Sequence, residues 1–195
     1  MIVPRIYKDE LLYSWAARTM AYSYVSYSYF CQQFLRTQEK WSIDFYNDIF
    51  PEYLTRGGMT WEQAVWEHTM ARYALMLIQE RQRAEAMSRL LSGDNTYIEK
   101  LTLPTRTGRY LRYCPLCAQE NRERLGETFW HRKHQMFGVH LCPKHGCFLV
   151  DSKVAYITKQ YDNLHTAEEE YRPSLVRYGS PGEKVMCRLL GRMLE

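Results

Sequence analysis

Two short segments of the chain combine cysteines with a proline at matching positions. Cys114 and Cys117 are spaced C-x2-C, and Cys142 and His145 repeat that spacing as C-x2-H, 24 residues further on. A proline follows the first cysteine in both cases. Such turns bring two ligands to one ion while nearby backbone N–H groups point at the sulfurs, and two of them supply the four ligands of tetrahedral Zn²⁺. The sequence therefore predicts a zinc site formed by Cys114, Cys117, Cys142 and His145.

Cys147 is a competing candidate for the fourth ligand position. A C-x4-C spacing would be irregular, whereas C-P-K-H-G mirrors C-P-L-C, and Gly146 can adopt the positive φ that such a turn needs. We expect His145 to be the ligand and Cys147, like Cys31 and Cys187, to pack as a small apolar residue. Four protein ligands leave no position for water, so the predicted metal is structural and stabilises a segment too small for its own core.

Three further histidines, His131, His134 and His140, lie between the two cysteine segments. The pair in "WHRKHQ" is compatible with a second metal site or an HNH-like nuclease centre. That chemistry needs a carboxylate and an open metal position, and no acidic residue lies between Glu127 and Asp151. We therefore favour surface contacts, or hydrogen bonds to the metal ligands, for these histidines.

Positive charge is concentrated around the cysteines. The formal net charge of the chain is +4, yet residues 104–147 alone contain eight basic and three acidic residues. A local basic patch predicts contact with phosphate or with an acidic partner, although solvated surface charge explains the same pattern. The candidate nucleic-acid contacts are Arg106, Arg109, Arg112, Arg132, Lys133 and Lys144.

Length, composition and N-terminus predict a globular protein of the cytoplasm. The 195 residues are enough for one medium domain or two small ones, and the hydrophobic fraction of 46% is enough for a core. No apolar run approaches the ~20 residues that cross a bilayer, and the N-terminus has no signal-peptide core. Reduced cysteines in a cytoplasmic protein favour metal binding over disulfides. We expect neither a membrane nor a small-molecule substrate among its partners.

Residues 1–103 are predicted to form a helical domain resembling a helix-turn-helix bundle. "DELLYSWAARTMAY" has Asp9 as a candidate N-cap, followed by an apolar face of Leu12, Trp15, Ala16 and Thr19. Shorter helices are predicted in "YFCQQFLRT" and in "IDFYNDIF", the second ending at Pro51. The tyrosine-rich stretch from Tyr22 to Phe30 fits either core packing or a protein-contact surface.

The longest predicted helix runs from Thr60 to about Ser92. Thr60 and Gln63 form a capping-box pattern, and Gly93 is a C-terminal stop signal. A break is expected between His68 and Arg72.

The remaining chain is divided into a zinc module at residues 104–150 and a linker with an amphipathic helix at residues 151–195. Strands are predicted in "FGVHL" and "CFLVD". Ser180, Pro181 and Glu183 give the last helix a strong N-terminal signal. Its predicted apolar stripe is Val185, Met186, Leu189, Leu190, Met193 and Leu194. The predicted fold is mainly α, with a small zinc-ribbon β element.

Together these segments resemble the TniQ/TnsD family. The resemblance is carried by the N-terminal "DELLYSWAAR", by "EHTMARY", and by the segment from "YCPLC" to "CPKHGCFL". The first motif is matched by Asp9, Glu10, Leu11, Ser14, Trp15 and Arg18. The other motif, which contains the cysteines, is matched by Cys114, Cys117, Trp130, Gln135, Val139, Cys142, His145 and Leu149.

The resemblance implies a target-selection protein of a multi-component DNA transposon, including CRISPR-associated ones. Such a protein would be a non-enzymatic adaptor that links target DNA, or a guide-RNA effector complex, to the AAA+ regulator TnsC. The chain would correspond either to a short TniQ or to the N-terminal part of a TnsD. An autonomous, zinc-containing, sequence-specific DNA-binding regulator is the alternative function, and a zinc-dependent nuclease is a third.

Overall fold

The structure is a computed structural model that describes residues 1–36, 43–44, 48–91, 94, 97, 109–155 and 163–195. Over these residues the protein is mainly helical, with one two-stranded antiparallel sheet, and the predicted fold class is confirmed. The helices are α1 (Leu12–Ser23), α2 (Tyr27–Phe34), α3 (Pro51–Gly57), α4 (Trp61–His68), α5 (Ala71–Leu77), α6 (Glu80–Leu91), α7 (Pro115–Leu125), α8 (Ala167–Glu170) and α9 (Pro181–Arg192). The strands are β1 (Tyr110–Tyr113) and β2 (Val150–Ala155).

Helix α1 lies at the centre of the larger core. All nine residues from Leu12 to Met20 are buried, so the predicted apolar face is confirmed, but the opposite face is buried as well. The helix begins after Leu11, and the prediction that Asp9 caps it is wrong. Asp9 instead has a φ of 62° and turns its carboxylate to within 3.4 Å of Nδ1 of His131.

The helix predicted in "YFCQQFLRT" is present as α2, with Phe30 and Phe34 fully buried. The helix predicted in "IDFYNDIF" is wrong where the structure describes it. Residues 43–44 form a bend, residues 48–50 are not helical, and residues 45–47 lie outside the described residues. Pro51 begins α3 and does not end a helix, because its missing N–H and fixed φ suit the first helical position.

The segment from Thr60 onward consists of three helices, α4, α5 and α6. The capping box of Thr60 and Gln63 is confirmed, and so is the break, which falls at Thr69 and Met70. A second break at residues 78–79 was not expected. The predicted stop at Gly93 lies outside the described residues.

Residues 109–155 differ most from their prediction. "FGVHL" forms turns and one isolated bridge, so the strand predicted there is wrong, and the strand near "CFLVD" begins only at Val150. Helix α7 was not predicted, because its buried positions are small or polar residues such as Cys117, Ala118 and Asn121, which give no apolar stripe. Strands β1 and β2 pair with Arg112 opposite Asp151, and an irregularity follows Tyr110.

Helix α9 begins as predicted, with a complete capping box between Ser180 and Glu183. Its apolar stripe is only partly buried. Leu194 is buried, and Leu190 and Met193 pack against the same cluster, whereas Val185, Met186 and Leu189 are each more than half exposed. The helix is also buried at Cys187 and Gly191 and carries part of its apolar surface outward.

A buried polar network fixes α1 to the segment that precedes Trp130. The guanidinium of Arg18 donates to both carboxylate oxygens of Glu10, at 3.1 and 2.9 Å, and to Oε1 of Glu127 at 2.9 Å. Ser14 donates to Glu10 and accepts from the backbone N–H of Trp130 at 3.0 Å. Glu10, Ser14 and Arg18 recur every four residues and therefore share one face of the chain at α1.

The three predicted segments contact one another directly. The backbone of Leu11 donates to Trp130, that of Arg132 donates to Asp9, and Leu194 packs in a cluster with Met136 and Val139. The domain boundary at residue 103 falls outside the described residues, and the division into three domains stays a prediction. No helix among the described residues is long and apolar enough to span a membrane.

The Glu10 carboxyl makes the stability of the protein depend on pH. Burial raises its pKa from 4.5 to about 7, against the opposing effect of Arg18. Between these values the folded protein binds more protons than the unfolded chain, so its free energy of unfolding falls as pH rises through about 7. Relative to Glu10→Gln, which has no such proton, the wild type should lose about 1 to 3 kcal/mol between about pH 5 and pH 8.

Urea unfolding of both proteins across this pH range measures the difference. Glu62→Gln, at an exposed helix start, is the matched control and should follow the wild type. Parallel stability curves for the wild type and Glu10→Gln would contradict the prediction.

Candidate metal centre

The first cysteine turn is the N-terminus of α7. Cys114 is the N-cap, Pro115 occupies the first helical position, and the sulfur of Cys114 accepts the backbone N–H of Cys117 at 3.4 Å. An N-cap needs an acceptor side chain, and here the sulfur takes the place that serine or aspartate usually fills. One local structure therefore both starts the helix and places the two sulfurs.

The second turn repeats this hydrogen bond without a helix. The sulfur of Cys142 accepts the backbone N–H of His145 at 3.4 Å, and Gly146 donates to the carbonyl of Cys142 at 2.8 Å. Gly146 has a φ of 65°, which confirms the left-handed conformation expected of the glycine. The chain then reverses, and Cys142 donates to the carbonyl of Cys147 at 2.8 Å.

The two turns bring Cys114, Cys117, Cys142 and His145 together, with their ligand atoms all within 4.8 Å of one another. The sulfurs of Cys117 and Cys142 are 3.6 Å apart, and Nδ1 of His145 lies 3.3 to 3.6 Å from the three sulfurs. A tetrahedral ion with Zn–S of about 2.3 Å and Zn–N of about 2.0 Å separates its ligands by about 3.8 Å for two sulfurs and 3.5 Å for sulfur and nitrogen. The geometry therefore fits a four-coordinate metal ion.

The closely packed thiols of the cluster shift each other's pKa. Hydrogen bonds from the thiols of Cys114 and Cys117 lower the pKa of Cys142, and the reciprocal interactions with Cys117 and Cys142 raise that of Cys114. Because thiolates are the metal ligands, binding an ion must release the remaining thiol protons, and metal affinity should rise with pH.

Glu120 completes the environment of His145. Its Oε1 lies 3.1 Å from Nε2 of His145, on the ring nitrogen opposite the candidate ligand atom, and its other oxygen pairs with Lys144. A carboxylate in this position fixes the ring orientation and tautomer of a metal-binding histidine. Sequence analysis missed Glu120, and its signal would have been its position one helical turn after Cys117 in an unpredicted helix.

The geometry favours His145 over Cys147 as the fourth ligand. Cys147 is fully buried, and its sulfur lies 3.4 Å from that of Cys114, but it does not belong to the group whose ligand atoms are mutually close. Its backbone pairs with Tyr178, so Cys147 connects the metal turn to the chain that enters α9.

His131 and His134 are held by neighbours of the cluster. His131 lies 3.4 Å from Asp9 through Nδ1 and 2.9 Å from the amide nitrogen of Asn121 through Nε2. His134 places Nε2 3.8 Å from the sulfur of Cys117. Asp9 is thus a carboxylate that the sequence did not place beside these histidines. Among the described residues, however, the group of mutually close ligands is the Cys₃His set alone.

The predicted nucleic-acid contacts do not form one surface. Arg112 and Arg132 are each 5% exposed, and their guanidinium groups donate to backbone carbonyls, Arg112 to Val139 and Met136, Arg132 to Trp66 and Leu194. These two residues are therefore removed from the prediction.

The remaining four candidates have different positions. Arg109 and Lys144 are exposed, and Lys144 pairs with Glu120. Lys133 is about a quarter exposed and binds Glu195 at 2.7 Å. Arg106 lies outside the described residues. Arg109, Lys133, Lys144 and Arg106 remain candidates for nucleic-acid contact.

The fold and the site define a mainly helical protein with a cysteine–histidine cluster that could hold a metal ion. Comparison with known proteins supplies the family. The TniQ family model matches residues 1–149, and the chain belongs to this family. It is also similar to the transposon Tn7 transposition protein TnsD of Escherichia coli, with 30% identity over 93 residues that cover 45% of this chain. The matched segment is 18% of that relative, which is therefore much longer.

Substitution of the ligands should separate His145 from Cys147. Cys114→Ser and His145→Ala are expected to reduce bound metal well below about one ion per chain, because a missing ligand opens the tetrahedral shell. Cys147→Ser should keep its metal, as should the control Cys31→Ser, which changes a half-buried thiol on α2. Elemental analysis of the purified proteins measures the content. Metal loss in Cys147→Ser together with metal retention in His145→Ala would reverse the assignment.

Glu120→Gln should weaken metal binding without abolishing it. Removal of the carboxylate leaves the four ligands in place but releases the His145 ring, which lowers affinity about 10- to 100-fold in comparable sites. Competition with a chelator measures the affinity, and Glu123→Gln on the same helix is the control. Equal affinities of the two variants would exclude a role for Glu120.

Proposed function

We propose that this chain is a target-selection adaptor in DNA transposition, with Zn²⁺ as its structural metal. Membership of the TniQ family over residues 1–149 is the observation that carries the proposal. The similarity to a transposition protein of Tn7 supports it. The chain spans under a fifth of that relative, so the activity and the partners named below are proposals for this chain.

Zinc is the ion that best suits the donor set. Three sulfurs and one imidazole form a soft, tetrahedral set, which disfavours Mg²⁺ and Ca²⁺. Four protein ligands close the coordination shell, so the ion would polarise no water or substrate. We therefore propose a folding role for the metal and no catalytic reaction for the chain.

The proposed partner is an AAA+ regulator of the TnsC type. Exposed aromatic side chains at the α1–α2 turn offer a contact surface for it. Tyr24 is 95% exposed and Tyr29 is 50% exposed, beside Ile2 at 61%. Tyrosine is enriched in protein interfaces because it contributes a large apolar area together with a hydrogen-bonding hydroxyl. The target that the adaptor links to this regulator would be a DNA site or a guide-RNA effector complex in the bacterial cytoplasm.

An autonomous DNA-binding regulator with a helix-turn-helix is the second candidate. Helices α3 and α4 are joined by the three residues 58–60, a length typical of that motif. The exposed face of α4, however, carries Glu62 and Glu67, which would oppose the phosphates of a DNA groove. The charge of α4 therefore favours the adaptor.

Association with the cognate AAA+ regulator tests the proposal. Immobilised protein should retain the regulator in the presence of ATP and duplex DNA, and Tyr24→Ala/Tyr29→Ala should weaken retention about tenfold or more. Tyr178→Ala, an exposed tyrosine near α9, is the control and should leave retention unchanged. Absence of association with and without ATP and DNA would overturn the proposal. Tight, sequence-specific binding of a duplex by the protein alone would favour the regulator.

A further inference from the structure

A cavity of about 300 Å³ lies between α9 and the second cysteine turn. Cys117 and Cys142 line it, together with Lys133 and Lys144. Arg188 and Arg192 of α9 line it as well. We call this cavity the α9 groove. It brings together two predicted nucleic-acid contacts and two arginines that the sequence did not single out.

Close glycine contacts seat α9 on the metal module. A Cβ atom on Gly191 would lie 2.9 Å from Cβ of Pro143, and one on Gly146 would lie 2.9 Å from the side chain of Lys184. The backbone of α9 therefore approaches the second turn as closely as a glycine permits. Because Arg188 and Arg192 are one helical turn apart and both line the groove, this contact fixes their position against the metal module.

The unpaired charge at the groove is positive. Lys133 is paired with Glu195 and Lys144 with Glu120. In the described part of the chain, Arg188 and Arg192 make no hydrogen bond or ion pair, and both are exposed.

The acidic residues that line the groove lie beside cationic or ionisable groups. Asp9 lies 3.4 Å from His131 and 3.7 Å from Arg132, and Glu195 pairs with Lys133. Cys117 and Cys142, which also line the groove, are at most 5% exposed. The exposed, unpaired groups of the groove are thus two guanidinium forks, which match the geometry of phosphate oxygens.

Two residues that line the groove, His134 and Asp9, each have one buried polar atom without a hydrogen-bond partner within the described residues, namely Nδ1 and Oδ1. His134 is 3% exposed, and within the described residues its Nδ1 has no hydrogen-bond partner. Its other ring nitrogen faces the sulfur of Cys117. Since buried polar atoms are otherwise paired, these two atoms call for a water molecule or a polar group of a ligand as partner.

We propose that the α9 groove binds the phosphodiester backbone of a nucleic acid, with Arg188 and Arg192 as its direct contacts. The choice of nucleic acid as the source of phosphate rests on the proposed function, whereas the cationic groove itself does not. This surface takes the place of Arg112 and Arg132, which are buried. Contacts to phosphate give affinity and orientation without reading sequence.

Binding of fluorescently labelled probes to the metal-loaded protein tests the groove. A duplex DNA and a duplex RNA of mixed sequence, followed by fluorescence anisotropy at several salt concentrations, distinguish the two sources of phosphate. Arg188→Ala/Arg192→Ala should lower the affinity about tenfold or more and reduce the slope of log affinity against log salt by about 2 on DNA. The control Arg81→Ala/Arg124→Ala removes the same charge from exposed positions on α6 and α7 that do not line the groove.

The outcomes separate this inference from the adaptor function. A larger loss in the α9 variant than in the control, on either probe, supports the groove, provided that both variants keep their metal and helical content. Equal losses in the two variants, or no binding of either probe by the wild type, overturn it. The arm of the retention assay that contains no DNA does not involve the groove, so retention there supports the adaptor function even when the groove fails.

Discussion

The arrangement of the described residues depends on the buried contact between Arg18 and its two carboxylates. Arg18 is 2% exposed and Glu10 is fully buried, so without each other the guanidinium would lack acceptors in the interior and the Glu10 carboxyl would lack its donor. Glu127 completes the contact from a distant part of the chain. Because one guanidinium must reach both acids at once, the contact fixes the position of α1 relative to the part of residues 104–150 that contains Glu127.

The candidate metal centre contributes to the packing of the same module. Its first turn starts α7, and its second turn supplies Pro143, the surface against which Gly191 of α9 packs. A four-coordinate ion would therefore position two helices that contribute few apolar side chains to any core. The Cys₃His set is thus part of the architecture as well as a candidate metal site.

The features that depend on residues close together in the sequence were predictable from it. The capping boxes at Thr60 and Ser180 and the matched cysteine turns each depend on residues three or four positions apart. The failures involve distant partners. Asp9 caps no helix, because its carboxylate lies beside His131 and Arg132. Helix α7 has no apolar stripe, because its buried face carries Cys117 of the first turn and Asn121, which hydrogen-bonds to His131.

The burial of Arg112 and Arg132 was unpredictable for the same reason. Arginine is rarely buried, and only the carbonyls of distant turns make these two positions favourable. Several of the residues that carry the family resemblance prove to be members of such long-range contacts. Ser14 meets Trp130, and Gln135 bonds with both the N–H and the carbonyl of Arg112. A motif that is scattered in sequence is continuous in space.

The break between α4 and α5 has a consequence for how the protein is made. The carbonyls of Trp66 and Thr69, at the end of α4, accept hydrogen bonds from Arg132 at 2.8 and 3.4 Å. Helix ends need such partners, and this one is encoded more than sixty residues downstream. During synthesis the N-terminal helices leave the ribosome before Arg132 has been translated. The contacts of the α4 end with Arg132 can therefore form only after the metal module has been synthesised.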